Sequence, residues 1–139
     1  MKHLLLLIPG FFLLCSCNGS YTRTNMPGDI SDGKALAEKF YTFLAKHSVP
    51  GINTISSGIK PDEMNHLMNF ADSSWGAMKS YEFTSGKSQI QKNNGVRSGE
   101  IDLYYKANYE RSVNKETIII EVVNDSLKVT GYDTHPDKQ

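Results

Sequence analysis

Cysteine, histidine and tyrosine side chains are the groups in this 139-residue chain whose types could support chemistry. The two cysteines, Cys15 and Cys17, lie close together near the N-terminus. The four histidines are scattered, and no set of His, Cys, Asp and Glu has the spacing of a zinc or calcium site. No glycine-rich phosphate loop follows a predicted strand, and no Gly-x-Ser-x-Gly motif occurs. We therefore predict no catalytic, cofactor-binding or metal-binding residue, and chemistry only at the cysteines.

The residues before the cysteines have the pattern of an export signal. Met1-Lys2-His3 precedes the apolar run Leu4–Leu14, which is too short to span a membrane. The run ends in Leu14-Cys15-Ser16-Cys17, a tetrad that resembles the bacterial lipobox. The resemblance implies diacylglyceryl transfer to Cys17, cleavage after Ser16 and N-acylation of the new N-terminus. Ordinary secretion, with cleavage at another small residue nearby, is the alternative.

Lipidation at Cys17 would anchor the protein in a bacterial cell envelope, because two or more acyl chains hold a protein stably on a membrane. Asn18 follows the cysteine, whereas an aspartate there would suggest retention at the inner membrane, so the outer membrane is favoured. With Cys15 removed and Cys17 acylated, the folded part has no thiol for catalysis, zinc or a disulfide. We predict a signal peptide over residues 1–16 and a polar, flexible, lipidated tether over residues 17–28.

The length and net charge of the chain limit the number of domains and the kinds of partner that we predict. Its size allows one domain, which we place at residues 29–134, with a polar tail at 135–139. The formal net charge is zero and no basic block occurs. We therefore predict that nucleic acid is not a partner, since phosphate binding needs clustered Lys and Arg.

Two helices are predicted in the first half of the domain. One begins at Asp29 or Ser31 and ends near His47, and its apolar stripe consists of Leu36, Phe40, Phe43 and Leu44. The other begins at Pro61 and ends before Gly76, with a stripe of Met64, Leu67, Met68, Ala71 and Trp75. Residues 48–60 are predicted to form a loop with room for a short strand or one helical turn. We expect His47 to contact terminal carbonyls or solvent, and His66 to be exposed.

The second half of the domain is predicted to form four antiparallel strands. In the first, Tyr81 and Phe83 have the opposite parity to Ile90, which indicates either a bulge near Ser85-Gly86 or two short strands. Asn93-Asn94-Gly95 then predicts a turn. The remaining strands form a meander from Ser98 to Tyr132. Its alternation predicts an inward apolar face made of Ile101, Leu103, Tyr105, Ala107, Tyr109, Ile118, Ile120, Val122, Leu127 and Val129.

The register of the meander follows from its two predicted turns. A turn at Asn124-Asp125 pairs Ile120 with Val129, and a turn at Val113-Asn114 pairs Ala107 with Ile120. On the opposite face this register predicts a charged row, Lys106–Glu121–Lys128.

This order of elements resembles the cystatin-like or nuclear transport factor 2-like α+β superfamily, and more closely small bacterial lipoproteins of unknown function in that group. The resemblance is carried by the helix Leu36–Leu44, the passage Trp75–Tyr81 and the ending Leu127–Tyr132. It implies an α+β fold in which two N-terminal helices pack on one face of a curved four-stranded antiparallel sheet. It implies little about function, because this fold hosts isomerases, dehydratases, transport adaptors and inert modules.

The predicted inward face has no charge, and its only polar atoms are the hydroxyls of Tyr105 and Tyr109. Enzymes of the resembled superfamily typically place an acid, a histidine or a tyrosine there. We therefore predict a non-catalytic envelope lipoprotein that acts as a binding or structural module for an envelope protein or component. The alternative is a small-molecule pocket of the isomerase or dehydratase type, lined by Tyr105, Tyr109 and Trp75.

Overall fold

A computed structural model describes residues 19–138 of the chain. The predicted signal peptide and the predicted lipidation site, Cys17, lie outside the described residues. The described part has an α+β fold. Its elements are β1 (Tyr21–Thr24), α1 (Pro27–Ala45), α2 (Val49–Ile55), α3 (Pro61–Ser74), β2 (Met78–Asn93), β3 (Val96–Tyr109), β4 (Val113–Val123) and β5 (Ser126–Pro136).

The sheet is antiparallel and has five strands in the order β1-β2-β3-β4-β5, so the prediction of four strands was wrong. The additional strand, β1, lies inside the predicted tether and pairs along β2 from Tyr21–Lys92 to Thr24–Gln89. Its Tyr and Thr residues favour an extended backbone, and β2 supplies the partner edge. The tether prediction is therefore wrong for residues 21–24. At the other end, β5 extends to Pro136, which an edge strand tolerates.

Residues 19–138 contain three helices, where two were predicted. The additional helix is α2, which occupies the predicted loop. The Ser48 side chain accepts a hydrogen bond from the Gly51 backbone N–H, and Pro50 lies in the first turn, so both ordinary helix-start signals are present. Helix α3 begins at Pro61 and is followed by Gly76 at φ +79°, as predicted.

The bulge in β2 and the β2–β3 and β4–β5 turns lie where the sequence predicted them. Strand β2 is continuous, with a register shift between Phe83 and Ser85, which confirms the bulge rather than two short strands. Asn94-Gly95 has φ values of 50° and 86°, and Asn124-Asp125 has values of 51° and 63°. Positive φ at both central residues is the geometry of a tight two-residue hairpin.

The predicted register is correct for β4–β5 from Ile120 to the turn, but a register shift between Ile119 and Ile120 places Ile118 opposite Tyr132 rather than Gly131. The predicted register is wrong for β3–β4. Ile120 pairs with Val129, and Glu121 pairs with Lys128, as predicted. However, Ile120 pairs with Ile101 on β3 rather than with Ala107, which pairs with Asn114. The charged row is likewise wrong at its first member, since Lys106 lies opposite Lys115.

The β3–β4 turn is centred on Glu110-Arg111, three residues earlier than predicted, because the end of α3 holds it there. The Arg111 backbone N–H donates to the Trp75 carbonyl, and its guanidinium donates to the carbonyls of Asp72 and Ser73. A cation at the C-terminus of a helix satisfies carbonyls that have no partner within the helix.

The core lies between the helices and one face of the sheet. All three helices contribute to the same buried cluster, for example through Phe40, Ile52 and Met68. The register error moves each β3 partner by an even number of residues, so the predicted inward face remains correct. Asn114 and Glu116 join that face, with exposures of 0% and 1%. The prediction that this face has no charge was therefore wrong.

Candidate functional site

The site is organised around the buried carboxylate of Glu116 on strand β4. Glu116 lies between Tyr105 of β3 and Thr134 of β5. Its Oε2 accepts a hydrogen bond from the Tyr41 hydroxyl at 2.8 Å. Its Oε1 accepts one from the Tyr109 hydroxyl at 2.7 Å and one from Thr134 Oγ1 at 3.0 Å. Helix α1 and three strands thus meet at one carboxyl group.

The hydrogen-bond donors to this carboxylate are all neutral hydroxyls. None of the ion pairs within residues 19–138 includes Glu116. The network continues through Asn114, whose Nδ2 donates to Thr134 Oγ1 at 3.1 Å, and Ser112, whose hydroxyl donates to Asn114 Oδ1 at 2.5 Å. A buried charge without a counter-ion requires such donors, since an unsatisfied charge would be very costly.

The surrounding tyrosines keep their protons well above neutral pH. Burial raises the pKa of Tyr41, Tyr109 and Tyr132, and the negative charge of Glu116 raises it further. Burial also raises the pKa of Tyr105 to about 12. These phenols therefore remain O–H groups and can serve as hydrogen-bond donors.

Aromatic packing fixes the positions of the tyrosine rings. Tyr41 stacks on Tyr81 with ring centroids 4.0 Å apart and meets Tyr105 edge-on at 5.0 Å. Tyr109 packs against Trp75 at 5.4 Å. Such contacts limit ring motion and hold the hydroxyls in place.

A cavity of about 100 Å³ lies next to this network, between α1, α3 and the sheet. Its walls are apolar and include Leu44, Leu67, Met68, Ala71 and Met78. Its polar lining comes from two groups of residues. Tyr109, Tyr132 and Thr134 lie on the sheet side, while His47 and Asp72 lie on the helix side.

The predicted pocket residues are only partly brought together. Tyr109 lines the cavity, whereas Tyr105 and Trp75 are buried beside it in the core. His66 is exposed, as predicted. His47 is also exposed, but its Nε2 lies 3.1 Å from Asp72 Oδ2, a side-chain contact that the sequence did not indicate.

Glu116 is the site residue that sequence reasoning missed. The alternation of side chains along β4 could have identified it, since every second residue back from the inward residue Ile118 also points inward, which gives Glu116 and then Asn114. The misplaced turn at Val113-Asn114 put these two residues at the end of a hairpin, where a charge can reach solvent. Thr134 was missed because β5 was expected to end at Tyr132.

The arrangement suits a fixed hydrogen-bond network around Glu116 rather than proton transfer from it. Both carboxylate oxygens already have donors, and hydroxyl-bearing residues line the cavity beside the carboxylate. Within residues 19–138, no group of three or more His, Cys, Asp or Glu side chains is placed to hold a metal ion. None of the helices in the same range is long and apolar enough to cross a membrane.

No known protein family, curated protein or solved structure matches this chain.

Proposed function

We propose that this chain is a membrane-anchored bacterial envelope lipoprotein whose domain is a non-catalytic binding module with a cystatin-like arrangement of helices and sheet. The anchor is the lipid on Cys17, in the outer rather than the inner membrane. The observation that carries the binding function is the cavity beside Glu116, which combines apolar walls with hydroxyl-bearing residues.

The size of the cavity supports a partner that inserts one short apolar group. A dry cavity of about 150 Å³ accommodates benzene, and pockets for whole drug-sized ligands measure about 300–1,000 Å³. The cavity here is about 100 Å³. An aliphatic side chain presented by an envelope protein fits this volume better than a complete metabolite does.

The hydrogen bonds of the site support binding without catalysis. General acid–base chemistry needs a titratable group within reach of the substrate. Glu116 is enclosed by its three donors, and the raised pKa values of Tyr41 and Tyr109 keep both phenols protonated. The hydroxyls of Tyr41, Tyr109 and Thr134 therefore hold the carboxylate in place and do not exchange protons with a bound group at neutral pH.

Photo-crosslinking in the native envelope tests the binding function. A photoreactive amino acid at position 47, beside the cavity, should form an adduct with one defined partner. Ala71→Leu adds three carbons to the cavity wall and should abolish the adduct. Asn69→Leu makes a similar apolar change at an exposed position of the same helix, outside the cavity lining, and should leave it intact. An adduct that survives Ala71→Leu would contradict the proposal.

Fractionation of the full chain tests the anchor. Cys17→Ala removes the acylated thiol and should move the protein from the membrane fraction to the soluble fraction. Cys15→Ala is the matched control and should leave the protein on the membrane, because only Cys17 follows the predicted cleavage point. Continued membrane association of Cys17→Ala would contradict lipidation.

A small-molecule pocket of the isomerase or dehydratase type is the second candidate, and it is favoured by the carboxylate–tyrosine cluster beside the cavity. This alternative predicts that the purified protein gains thermal stability from a small polar compound, and that Ala71→Leu abolishes the gain. A protein adduct at position 47 without any such compound favours the binding module instead.

A further inference from the structure

Strand β1 fixes the start of the described chain to the domain. Arg23 lies opposite Ile90 of β2, and its guanidinium forms an ion pair with Asp29 at the start of α1. Asp29 is 2% exposed, and Arg97 of β3 approaches the same carboxylate at 3.8 Å. The backbone pairing and this partly buried ion pair together hold residues 21–24 on the edge of the sheet.

The folded β1 shortens the connection to the proposed anchor. Only four residues, Cys17–Ser20, separate the start of the lipidated chain from β1. Four residues span at most about 14 Å, whereas the twelve residues of the predicted tether would span about 40 Å. If Cys17 is lipidated, as proposed above, the end of the sheet where β1 begins must stay close to the bilayer.

That end of the sheet carries exposed apolar side chains. Tyr21 begins β1, Val96 follows the β2–β3 turn, and Val123 precedes the β4–β5 turn. Their exposures are 45%, 41% and 47%. Lys92 pairs with Tyr21 in the register, and its Nζ lies 6.0 Å from the Tyr21 ring.

The residue types at this end suit a phospholipid surface. Tyrosine is enriched at membrane interfaces because its ring is apolar and its hydroxyl is polar. A lysine beside it is attracted to anionic headgroups. We propose that this end of the sheet, which contains Tyr21, Lys92, Val96 and Val123, rests on the bilayer that holds the acyl chains of Cys17.

Distance-dependent quenching in vesicles tests this orientation. The mature protein without Cys15 offers no competing free thiol when Cys17 is acylated, so Val96→Cys and Val123→Cys each supply a unique labelling position. Ser74→Cys is the matched control, since it is exposed and lies beside the Glu110-Arg111 turn at the opposite end. The lipidated full chain is reconstituted in vesicles of phosphatidylethanolamine and phosphatidylglycerol that contain a headgroup quencher.

We expect quenching at positions 96 and 123 to exceed that at position 74 by at least about threefold, because β3 separates the two ends by about 43 Å. Arg23→Gln removes the charge that pairs with Asp29 and should reduce this difference by weakening the attachment of β1 to the sheet. Near-ultraviolet circular dichroism checks that this variant keeps its packed core.

Equal quenching at all three positions of a vesicle-bound chain would overturn the orientation while leaving lipidation intact. The label fluorescence at positions 96 and 123 can also be measured in detergent without the quencher. A fluorescence that changes there with protein concentration would assign this end of the sheet to contact with a second copy, and would also overturn the proposed orientation. A chain that fails to float with the vesicles would overturn both the anchor and the orientation.

Discussion

Removing the Tyr41 hydroxyl is the most direct test of the Glu116 network. Tyr41 is 1% exposed and is the side chain that donates to Glu116 Oε2, at 2.8 Å. Tyr41→Phe keeps the ring and its stacking on Tyr81 but deletes that donor. A hydrogen bond to a charged group contributes about 1.5–3 kcal/mol, and a buried acceptor left without a donor adds to the loss. We expect the free energy of unfolding to fall by about 2–3 kcal/mol.

Two further tyrosine variants give the graded comparison. Tyr109→Phe should cost less, about 1–1.5 kcal/mol, because Thr134 still donates to the same carboxylate oxygen. Tyr81→Phe is the control, since Tyr81 is 39% exposed and its hydroxyl makes no side-chain hydrogen bond within residues 19–138. Its change should stay within about 0.5 kcal/mol.

Urea unfolding followed by circular dichroism measures these differences. With a slope of about 1–3 kcal/mol per molar urea, a loss of about 2–3 kcal/mol in Tyr41→Phe should lower the midpoint by about 0.7–3 M. In a Glu116→Leu background the same substitution should cost about 1–2 kcal/mol less, because the acceptor is already gone. If Tyr41→Phe were as mild as Tyr81→Phe, Glu116 would not depend on the Tyr41 hydroxyl and our account of the site would fail.

The remaining predictions concern alkaline pH and one strand glycine. Because the pKa of Tyr41 is higher in the folded than in the unfolded chain, unfolding releases its proton above pH about 10. This residue should therefore lower the free energy of unfolding by up to about 1.4 kcal/mol per pH unit in that range. Tyr41→Phe should make the plot of unfolding free energy against alkaline pH shallower, and an unchanged slope would contradict the raised pKa. Gly99→Ala should destabilise the fold by more than about 2 kcal/mol, because Gly99 has φ 148° and a Cβ there would overlap the Gln89 carbonyl oxygen. Gly28→Ala, in open space within α1, is its control and should be neutral or stabilise by about 0.5–1 kcal/mol in thermal unfolding.

Local patterns were sufficient to predict most of the elements of this fold. Pro61 and Gly76 mark the two ends of α3, and the two tight turns at Asn94-Gly95 and Asn124-Asp125 follow from residues that tolerate positive φ. Alternation likewise assigned the apolar face of the meander, because side-chain parity depends only on neighbouring residues.

The errors arose where a distant contact decides the structure. The β3–β4 turn lies at Glu110-Arg111 because Arg111 caps α3, which is more than 35 residues away along the chain. Strand β1 forms because β2 offers it an edge, and its polar sequence resembles that of a linker. Glu116 is buried because three hydroxyls from separate elements converge on it.

The cavity and the proposed membrane-facing end lie at opposite ends of the sheet. Tyr109 lines the cavity at the C-terminal end of β3, whereas Val96 begins that strand about 43 Å away. A domain held on the bilayer through β1 would therefore present the cavity to the aqueous side, where the acyl chains of the anchoring membrane cannot reach it. This geometry favours an apolar side chain from a soluble or facing envelope protein as the occupant. It also predicts that weakening the attachment of β1 with Arg23→Gln leaves the adduct at position 47 chemically unchanged, because the cavity does not depend on the orientation of the domain.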